Sequence, residues 1–324
     1  MSQQTSVLYD VPGPRQRRIT WISSILATVL VLIGAYFLIY RPLDDNGQFS
    51  MELWGPLVDP SNENFPLVWE RIGAGFRNTL IAAGLAILAS LVVGTLLAVL
   101  RIQLRSLTAR RFTGLAAPLA YPLRGLSALL AVVTRVCVEV FRGLPVVLTI
   151  FFVARGFPEF GISFDALWYL VIGLTIYNSV VIAEILRSGM EGLPGGQAEA
   201  AAAVGLSPLQ TTRLILLPQA FRIMLPALIS QLVVVLKDTS LGFIIAYEET
   251  LSIGKQIIGA LGNPIQTYLI IGVLFIVVNY SLSKLAQYVQ RRLARGRKTA
   301  GTPAQNPPPA ALTAQAEASG AGGI

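Results

Sequence analysis

The chain has 324 residues, of which 54% are hydrophobic and only 13% are charged. Soluble domains carry about 25% charged residues, so this composition, with a mean hydropathy of +0.64, predicts a membrane protein. The net charge of +8 leaves two explanations, a nucleic-acid partner or membrane topology. Histidine is absent and Cys137 is the single cysteine, which excludes histidine-based metal sites, catalytic sets built on histidine and a disulfide framework.

Six apolar stretches are long enough to cross about 30 Å of hydrocarbon as helices. The first is longer than the core of a signal peptide and no Ala-x-Ala site follows it, which favours a retained anchor over a cleaved signal. The third contains charged residues, and the fifth is broken at residues 237–240 before it resumes. The predicted spans are residues 19–40, 79–100, 128–153, 166–183, 221–247 and 264–283.

The distribution of basic residues fixes the predicted orientation. Six spans place both termini on one side, and the segments on that side carry 17 of the 25 Lys and Arg residues, against four in the opposite loops. Because basic residues are retained in the cytoplasm during insertion, both termini are predicted to be cytoplasmic. The opposite side receives an acidic loop, 41–71, with Trp54 and Trp69. Topology thus accounts for the positive charge, and a nucleic-acid partner is not expected.

The cytoplasmic segment 188–218 has an unusual composition for a connector. Residues 197–204 are dominated by alanine and predict a helix. Gly205 fits a left-handed cap at its end, and Ser207 followed by Pro208 fits the start of a second helix. The first helix has so little side-chain bulk that another protein can approach it closely; a solvated connector is the alternative.

The second helix of this segment is predicted to end near Leu217, where Pro218 would begin the next element and residue 221 the fifth span. The segment matches a known pattern at seven positions: Glu199, Ala200, Ala201, Gly205, Ile215, Leu217 and Pro218. On these residues it resembles the EAA loop of the membrane subunits of ABC importers. The resemblance implies that the first helix is a coupling helix that docks in a groove of a separate ATPase.

Other short matches extend the resemblance to the permeases for polar amino acids, the group that imports His, Glu, Gln, Arg and opines. They lie at residues 78–80, 139–145, 183–187, 217–223 and 236–241. Two positions, Glu191 and Gly195, depart from the family pattern outside the Glu-Ala-Ala core. The resemblance implies an all-α integral membrane protein with six transmembrane helices, the type I ABC-importer permease fold and an extra N-terminal helix.

This resemblance divides the chain into three parts. Residues 1–72 form the N-terminal tail, the first span and the acidic outer loop; residues 73–292 form the permease core; residues 293–324 form a basic and then disordered tail. The implied location is the bacterial cell membrane, with several passes through the bilayer.

The resemblance also implies partners. These are an ATPase dimer, a second permease subunit that forms a heterodimer with this chain, an extracytoplasmic amino-acid-binding protein, an amino-acid substrate and membrane lipids. No Gly-x4-Gly-Lys-Ser/Thr sequence occurs in the chain, so no phosphate-binding loop of that type is present. No cofactor is expected here; ATP and Mg²⁺ would belong to the ATPase, and this subunit would be no enzyme. The alternative is a membrane scaffold or regulator that docks an ATPase without transport.

The N-terminal part narrows the expected substrate. Residues 7–15, the extra first span and residues 45–49 resemble one permease of the glutamate importers of Gram-positive bacteria. The substrate implied is L-glutamate, with glutamine, aspartate, arginine and histidine as alternatives.

Ionisable groups within spans are costly and usually face a cavity or a partner. Arg135, Glu139 and Arg142 share one helical face, either as a stripe that holds the bundle together or as part of the translocation path. Asn178 is a polar candidate for the cavity.

The interruption of the fifth span is the second candidate for the path. Lys237, Asp238, Thr239 and Ser240 form either an ion pair that stabilises the break or a gate that contacts substrate. A broken helix at this depth is expected to present free backbone groups to a cavity or to water.

Overall fold

The computed structural model describes residues 13–109 and 117–295. Arg110, Arg111, most of the resemblance segment 7–15 and the tail from residue 296 lie outside these ranges. Every regular element that the structure describes is helical, which confirms the all-α prediction. The α-helices are α1 Pro14–Ala35, α2 Arg41–Asp45, α3 Met51–Val58, α4 Phe65–Ala109, α5 Ala117–Gly143, α6 Val146–Glu159, α7 Ala166–Glu191, α8 Gly196–Ala203, α9 Pro208–Gln210, α10 Leu217–Asp238, α11 Thr250–Leu261 and α12 Pro264–Arg295.

Five helical stretches in these residues are long and apolar enough to cross a membrane, and a bent pair makes a sixth. The number of predicted spans is therefore confirmed. The five are Pro14–Asp45, Phe65–Thr108, Ala166–Glu191, Pro208–Ile245 and Pro264–Val289; the bent pair is Tyr121–Gly143 with Val146–Glu159.

The prediction of one continuous third span over 128–153 is wrong. α5 ends at Gly143 and α6 begins at Val146, with a bend of 108° between them. Pro145 explains the break, because a proline ring pushes the preceding residue out of helical geometry.

The predicted boundary between a second helix and a new element at Pro218 is also wrong. Helical structure runs without a gap from Pro208 to Ile245, and Pro218 lies inside it. A proline ring in a helix collides with the carbonyl four residues earlier, here that of Leu214. That residue lies in a π-helical turn, Thr211–Leu216, whose wider ladder accommodates the ring.

A second π turn, Tyr36–Tyr40, precedes Pro42 in the same way. Leu38, four residues before this proline, lies in the turn. The first span therefore also continues through its proline, to Asp45.

The interruption at 237–240 is a change of helix type. α10 ends at Asp238, and a 3₁₀ helix, Thr239–Ile245, follows directly. The predicted exposure of free backbone groups is therefore wrong, since the tighter i→i+3 hydrogen bonds replace those of the α-helix. The segment stops at Ala246, which adopts a left-handed conformation at φ 58°.

The helices divide into two compact units. Unit 1 comprises the described residues up to Leu85, with Ile150–Val171 and Asp238–Val277. Unit 2 comprises Ala86–Thr149, Ile172–Lys237 and the described residues from Val278 onward.

Unit 1 packs α3 and the start of α4 against α11. Its core is formed by Leu57, Val68, Ile72, Ile253 and Ile257. The start of α12 adds a buried polar layer, in which Asn263 donates to the carbonyl of Leu53 and Gln266 to that of Gln48. The acidic segment 41–71 is thus fastened to the start of α12.

Unit 2 packs the second half of α4 against α7 and α10. Its core is formed by Ala98, Ile182, Ala183, Leu186, Met190, Ala220 and Leu228. At Gly94 a side chain would meet Ile182 at 2.8 Å, so the missing Cβ lets α4 lie directly on α7. The segment that contains α8 follows α7, and this core therefore supports it.

Candidate functional site

The alanine-rich helix α8 presents a surface with little side-chain bulk. Ala201 is buried against its own chain, at 2% exposure, while Glu199, Ala200 and Ala203 are exposed. Val204, at the end of the helix, is 76% exposed. The exposed face is therefore apolar and almost flat, with one carboxylate in the first turn, where the helix dipole favours it.

The turn after α8 has the predicted geometry. Gly205 adopts φ +81°, the left-handed conformation that non-glycine residues avoid. Ser207 then caps the next helix: its hydroxyl accepts from the Gln210 amide, and the Gln210 side chain accepts from the Ser207 amide. This reciprocal capping box satisfies both amides and fixes the angle at which the chain leaves α8.

The remaining pattern residues attach α8 to the bundle. Ile215 and Leu217 are half-buried, and Leu217 packs on the core of unit 2, while Pro218 is exposed. Gln219 donates to Gln197 at the start of α8 and to the carbonyl of Ile215. α8 therefore connects through these residues to α10.

α4 supports the same segment from another side. The side chain of Gln103 donates to the Thr212 hydroxyl at 2.8 Å and to the Pro208 carbonyl at 3.3 Å. Thr212 is buried. The C-terminal end of α4 is thus a second attachment of the segment, which the sequence analysis missed.

A chain of alternating charges joins the inner ends of α4 and α7. Glu184 accepts from Arg101 at 2.5 Å and from two nitrogens of Arg187, and Glu191 accepts from Arg187 and, at 2.6 Å, from Arg105. Arg101, Glu184 and Arg187 are each less than 30% exposed, whereas Arg105 is 75% exposed. This network holds α7 to α4 shortly before the chain enters α8.

Asn178, a predicted path residue, lies in a buried polar contact within unit 2. It is fully buried, donates to the carbonyl of Leu174 and accepts from Gln231 of α10 at 2.7 Å. This hydrogen bond ties α7 to α10. Its role as a path residue stays a prediction.

The other predicted path residues occupy helix ends. Arg142 is exposed in the last turn of α5. One turn earlier lies the exposed ion pair Arg135–Glu139, in which Nε of Arg135 is 3.0 Å from Oε1 of Glu139. The block at the end of α10 shows a graded exposure: Lys237 exposed, Asp238 and Ser240 half-buried, and Thr239 fully buried.

A junction in unit 1 explains the Asn-Thr pair at 78–79. The Thr79 hydroxyl lies 2.8 Å from that of Thr250, and both residues are fully buried. Asn78 donates to the Glu248 carbonyl and accepts, through its own carbonyl, from the Tyr247 hydroxyl. The junction therefore fastens the start of α11 to α4.

The comparisons with known proteins agree with this geometry. Residues 112–295 match the family described as "Binding-protein-dependent transport system inner membrane component". That range is more than half of the chain. The chain belongs to this family. It is thus a multi-pass, non-catalytic membrane subunit of an ABC importer, a permease.

Two curated relatives of the permease are similar over most of their length. The glutamate transport system permease protein GluD of Corynebacterium glutamicum is 38% identical over 79% of this chain and 85% of its own length. The probable glutamine ABC transporter permease protein GlnP of Bacillus subtilis is 35% identical over 72% of this chain and 96% of its own.

Solved structures agree with the fold. A chain of an amino acid ABC transporter is 25% identical, with a TM-score of 0.55, over 69% of this permease and 94% of that chain. A chain of the methionine transporter MetNI is 21% identical, with a TM-score of 0.56, over 72% of this permease and 99% of that chain. These likenesses confirm the prediction of the type I importer fold.

Sequence reasoning missed Glu249 of the permease, a buried carboxylate at the start of α11. Its oxygens accept from the amides of Leu251 and Ser252, and its side chain is 0% exposed. Burial raises its pKa to about 7, although both amides and nearby Lys255 act in the opposite direction. An acidic residue directly before an apolar stretch that ends at Gly262 was the available signal for this cap.

Glu249→Gln is expected to remove a pH dependence of stability. A carboxyl whose pKa is higher in the folded protein stabilises it most below the unfolded pKa of about 4.5 and loses that contribution as the pH rises towards 7. The thermal midpoint of the wild type should therefore fall by about 5 °C between pH 5 and pH 8, relative to the variant. Differential scanning fluorimetry of the purified complex measures this.

Glu248→Gln is the matched control, because the adjacent Glu248 is exposed. Its midpoint should follow that of the wild type at every pH. A wild type and a Glu249→Gln variant with parallel profiles would contradict the assignment.

Proposed function

We propose that the permease forms the translocation path of an importer for a polar amino acid and couples that path to a separate ATPase through α8. The observation that carries the proposal is the exposed alanine face of α8, held at a fixed angle by Gly205 and the Ser207 capping box. A helix face with small side chains fits closely into a groove of another protein. Rigid attachment through Gln103 and Gln219 lets movement of that groove reach the spans.

We propose L-glutamate as the substrate. GluD is named as a glutamate permease and GlnP as a probable glutamine permease, which supports an amino acid with a short polar side chain. Arg142, Asn178 and the block Lys237, Asp238, Thr239 and Ser240 are the proposed path residues. Groups of both charges suit a zwitterionic substrate.

The proposed assembly contains an ATPase dimer, which binds ATP and Mg²⁺, a second permease subunit and an extracytoplasmic binding protein. The two permease chains would differ, because this chain adds its own first span and acidic outer segment to the core. We propose that α8 and both termini are cytoplasmic, as the excess of basic residues on that side supports.

Uptake by the reconstituted importer tests this function. The permease is purified with the subunits that co-purify with it and placed in vesicles that contain ATP, with the binding protein outside. Accumulation is measured for glutamate, glutamine, aspartate, arginine and histidine. We expect glutamate to be accumulated at the highest rate and to stimulate ATP hydrolysis. Faster accumulation of another amino acid would change the proposed substrate but not the proposed role as a permease.

The path residues enter the same assay. Asp238→Asn and Lys237→Gln should change the affinity or the rate for glutamate, and unchanged values for both would remove this block from the path. ATP hydrolysis without accumulation of any amino acid would instead favour the scaffold or regulator.

A further inference from the structure

The last turns of α12 carry an exposed stripe of tyrosines and cations. The stripe consists of Tyr280, Lys284, Tyr288, Arg291 and Arg292, all of them exposed. Ala286, in the middle of this stretch, is buried at 8% exposure. At about 100° per residue, the five side chains lie within about 60° of the direction opposite Ala286. The α12 stripe therefore faces away from the rest of its unit.

The length of α12 places the stripe at the surface of the bilayer. α12 has 32 residues, and about 20 of them cross 30 Å of hydrocarbon at a rise of 1.5 Å per residue. Counted from Pro264, Tyr280 lies in the last turn within the hydrocarbon, Lys284 at its boundary, and Arg292 about 12 Å beyond it. The stripe thus covers the depth at which lipid headgroups lie.

The charge of the stripe is not neutralised by its own segment. No Asp or Glu occurs between Thr250 and Ala316. In the described part of the chain, none of the ion pairs involves Lys284, Arg291 or Arg292. A row of positive charges with no carboxylate partner is complementary to an anionic surface.

The tyrosines hold two of these cations in place. The Lys284 Nζ lies 5.2 Å from the centre of the Tyr280 ring, and the Arg292 Cζ lies 5.0 Å from that of Tyr288. Both distances are within the range of cation–π attraction. Tyrosines are common at the membrane–water interface, and here both of them are paired with a cation that has no carboxylate partner among the described ion pairs.

We propose that the α12 stripe binds the headgroups of anionic phospholipids in the inner leaflet. A phosphodiester offers acceptor oxygens and one negative charge, which Lys284, Arg291 and Arg292 bind by charge-assisted hydrogen bonds. The Tyr280 and Tyr288 hydroxyls are placed to donate to the phosphate or the glycerol. Clusters of basic residues directly cytoplasmic of a span bind anionic lipids in this way.

Native mass spectrometry of the purified complex measures this binding. The probes are dioleoylphosphatidylglycerol, which is anionic, and dioleoylphosphatidylcholine, which has no net charge. We expect phosphatidylglycerol to bind more tightly than phosphatidylcholine. In the double variant Arg291→Gln/Arg292→Gln, its affinity should fall by about fivefold per cation, or about 25-fold in total.

The matched control is Arg17→Gln/Arg18→Gln, which removes an adjacent pair of exposed arginines at the inner end of α1. Its affinity for phosphatidylglycerol should change by less than about twofold. Equal losses from the two pairs, or no loss from either, would overturn the proposal.

Tyr288→Leu keeps the charge and the apolar bulk, and so keeps the proposal testable if the arginine variant does not fold. It should weaken the binding of phosphatidylglycerol and leave that of phosphatidylcholine unchanged. An unchanged preference between the two lipids in Tyr288→Leu would exclude the tyrosine–cation pairs from the site.

Discussion

Ala200→Trp is expected to weaken substrate-coupled transport severely while the permease stays folded. Ala200 is exposed on α8, so a large side chain there can point away from its own fold. It would, however, occupy the groove of the ATPase. Overpacking of a close contact costs about 1–3 kcal/mol, which corresponds to a loss of about 5- to 150-fold in productive docking. Uptake of amino acid and substrate-stimulated ATP hydrolysis should fall together, with an unchanged thermal midpoint.

Substitutions at Gly205 separate the effect of bulk from that of the turn. No atom lies within 4 Å of a Cβ built at this position. The strain of a substitution therefore comes only from the left-handed backbone, with φ +81°. Asn tolerates the left-handed conformation, whereas a β-branched residue is strained there by about 1–3 kcal/mol. Gly205→Asn should therefore transport nearly as well as the wild type, and Gly205→Val should fail. Equal transport by the two variants would show that the turn angle does not matter for coupling.

The segment 188–218 was predictable because its signals are local. The alanine run of α8, the left-handed Gly205 and the cap at Ser207 each act within one or two helical turns, and the structure places all three as the sequence predicts. The likeness to the EAA loop then predicted a coupling function for the segment. The docking contact itself involves another chain, so the roles of Glu199 and Ala200 stay predictions.

The sequence did not predict the π turn before Pro218, the short helix α11 or the contacts between distant residues. Pro218 breaks an ordinary helix, and no sequence pattern indicated the π turn that accommodates it. α11 was missed because a helix of twelve residues is too short for a span, although its cap Glu249 and its end at Gly262 were visible. The hydrogen-bond partners of the buried residues Asn178 and Thr79 lie 53 and 171 residues away along the chain, a separation that no local pattern spans.

Glu184→Gln is expected to destabilise the permease and weaken coupling. Glu184 accepts hydrogen bonds from both Arg101 and Arg187, and all three side chains are largely buried. Loss of one partner from a fully buried ion pair costs about 3–5 kcal/mol, and partial exposure reduces this to about 2 kcal/mol. The thermal midpoint in nanodiscs should fall by about 4–8 °C. Because α7 leads into the cytoplasmic segment, more ATP should be hydrolysed for each amino acid imported.

Arg105→Gln tests whether this cost depends on burial. Arg105 belongs to the same network and forms an ion pair with Glu191 at 2.6 Å, but 75% of its side chain is exposed to solvent. Water and salt screen such a pair, so its loss should cost less than about 1 kcal/mol and lower the midpoint by at most about 4 °C. Similar midpoints for Glu184→Gln and Arg105→Gln would mean that charge balance, not the buried bonds of Glu184, holds α7 to α4. A clear difference would locate the rigid connection between the spans and α8 at Glu184.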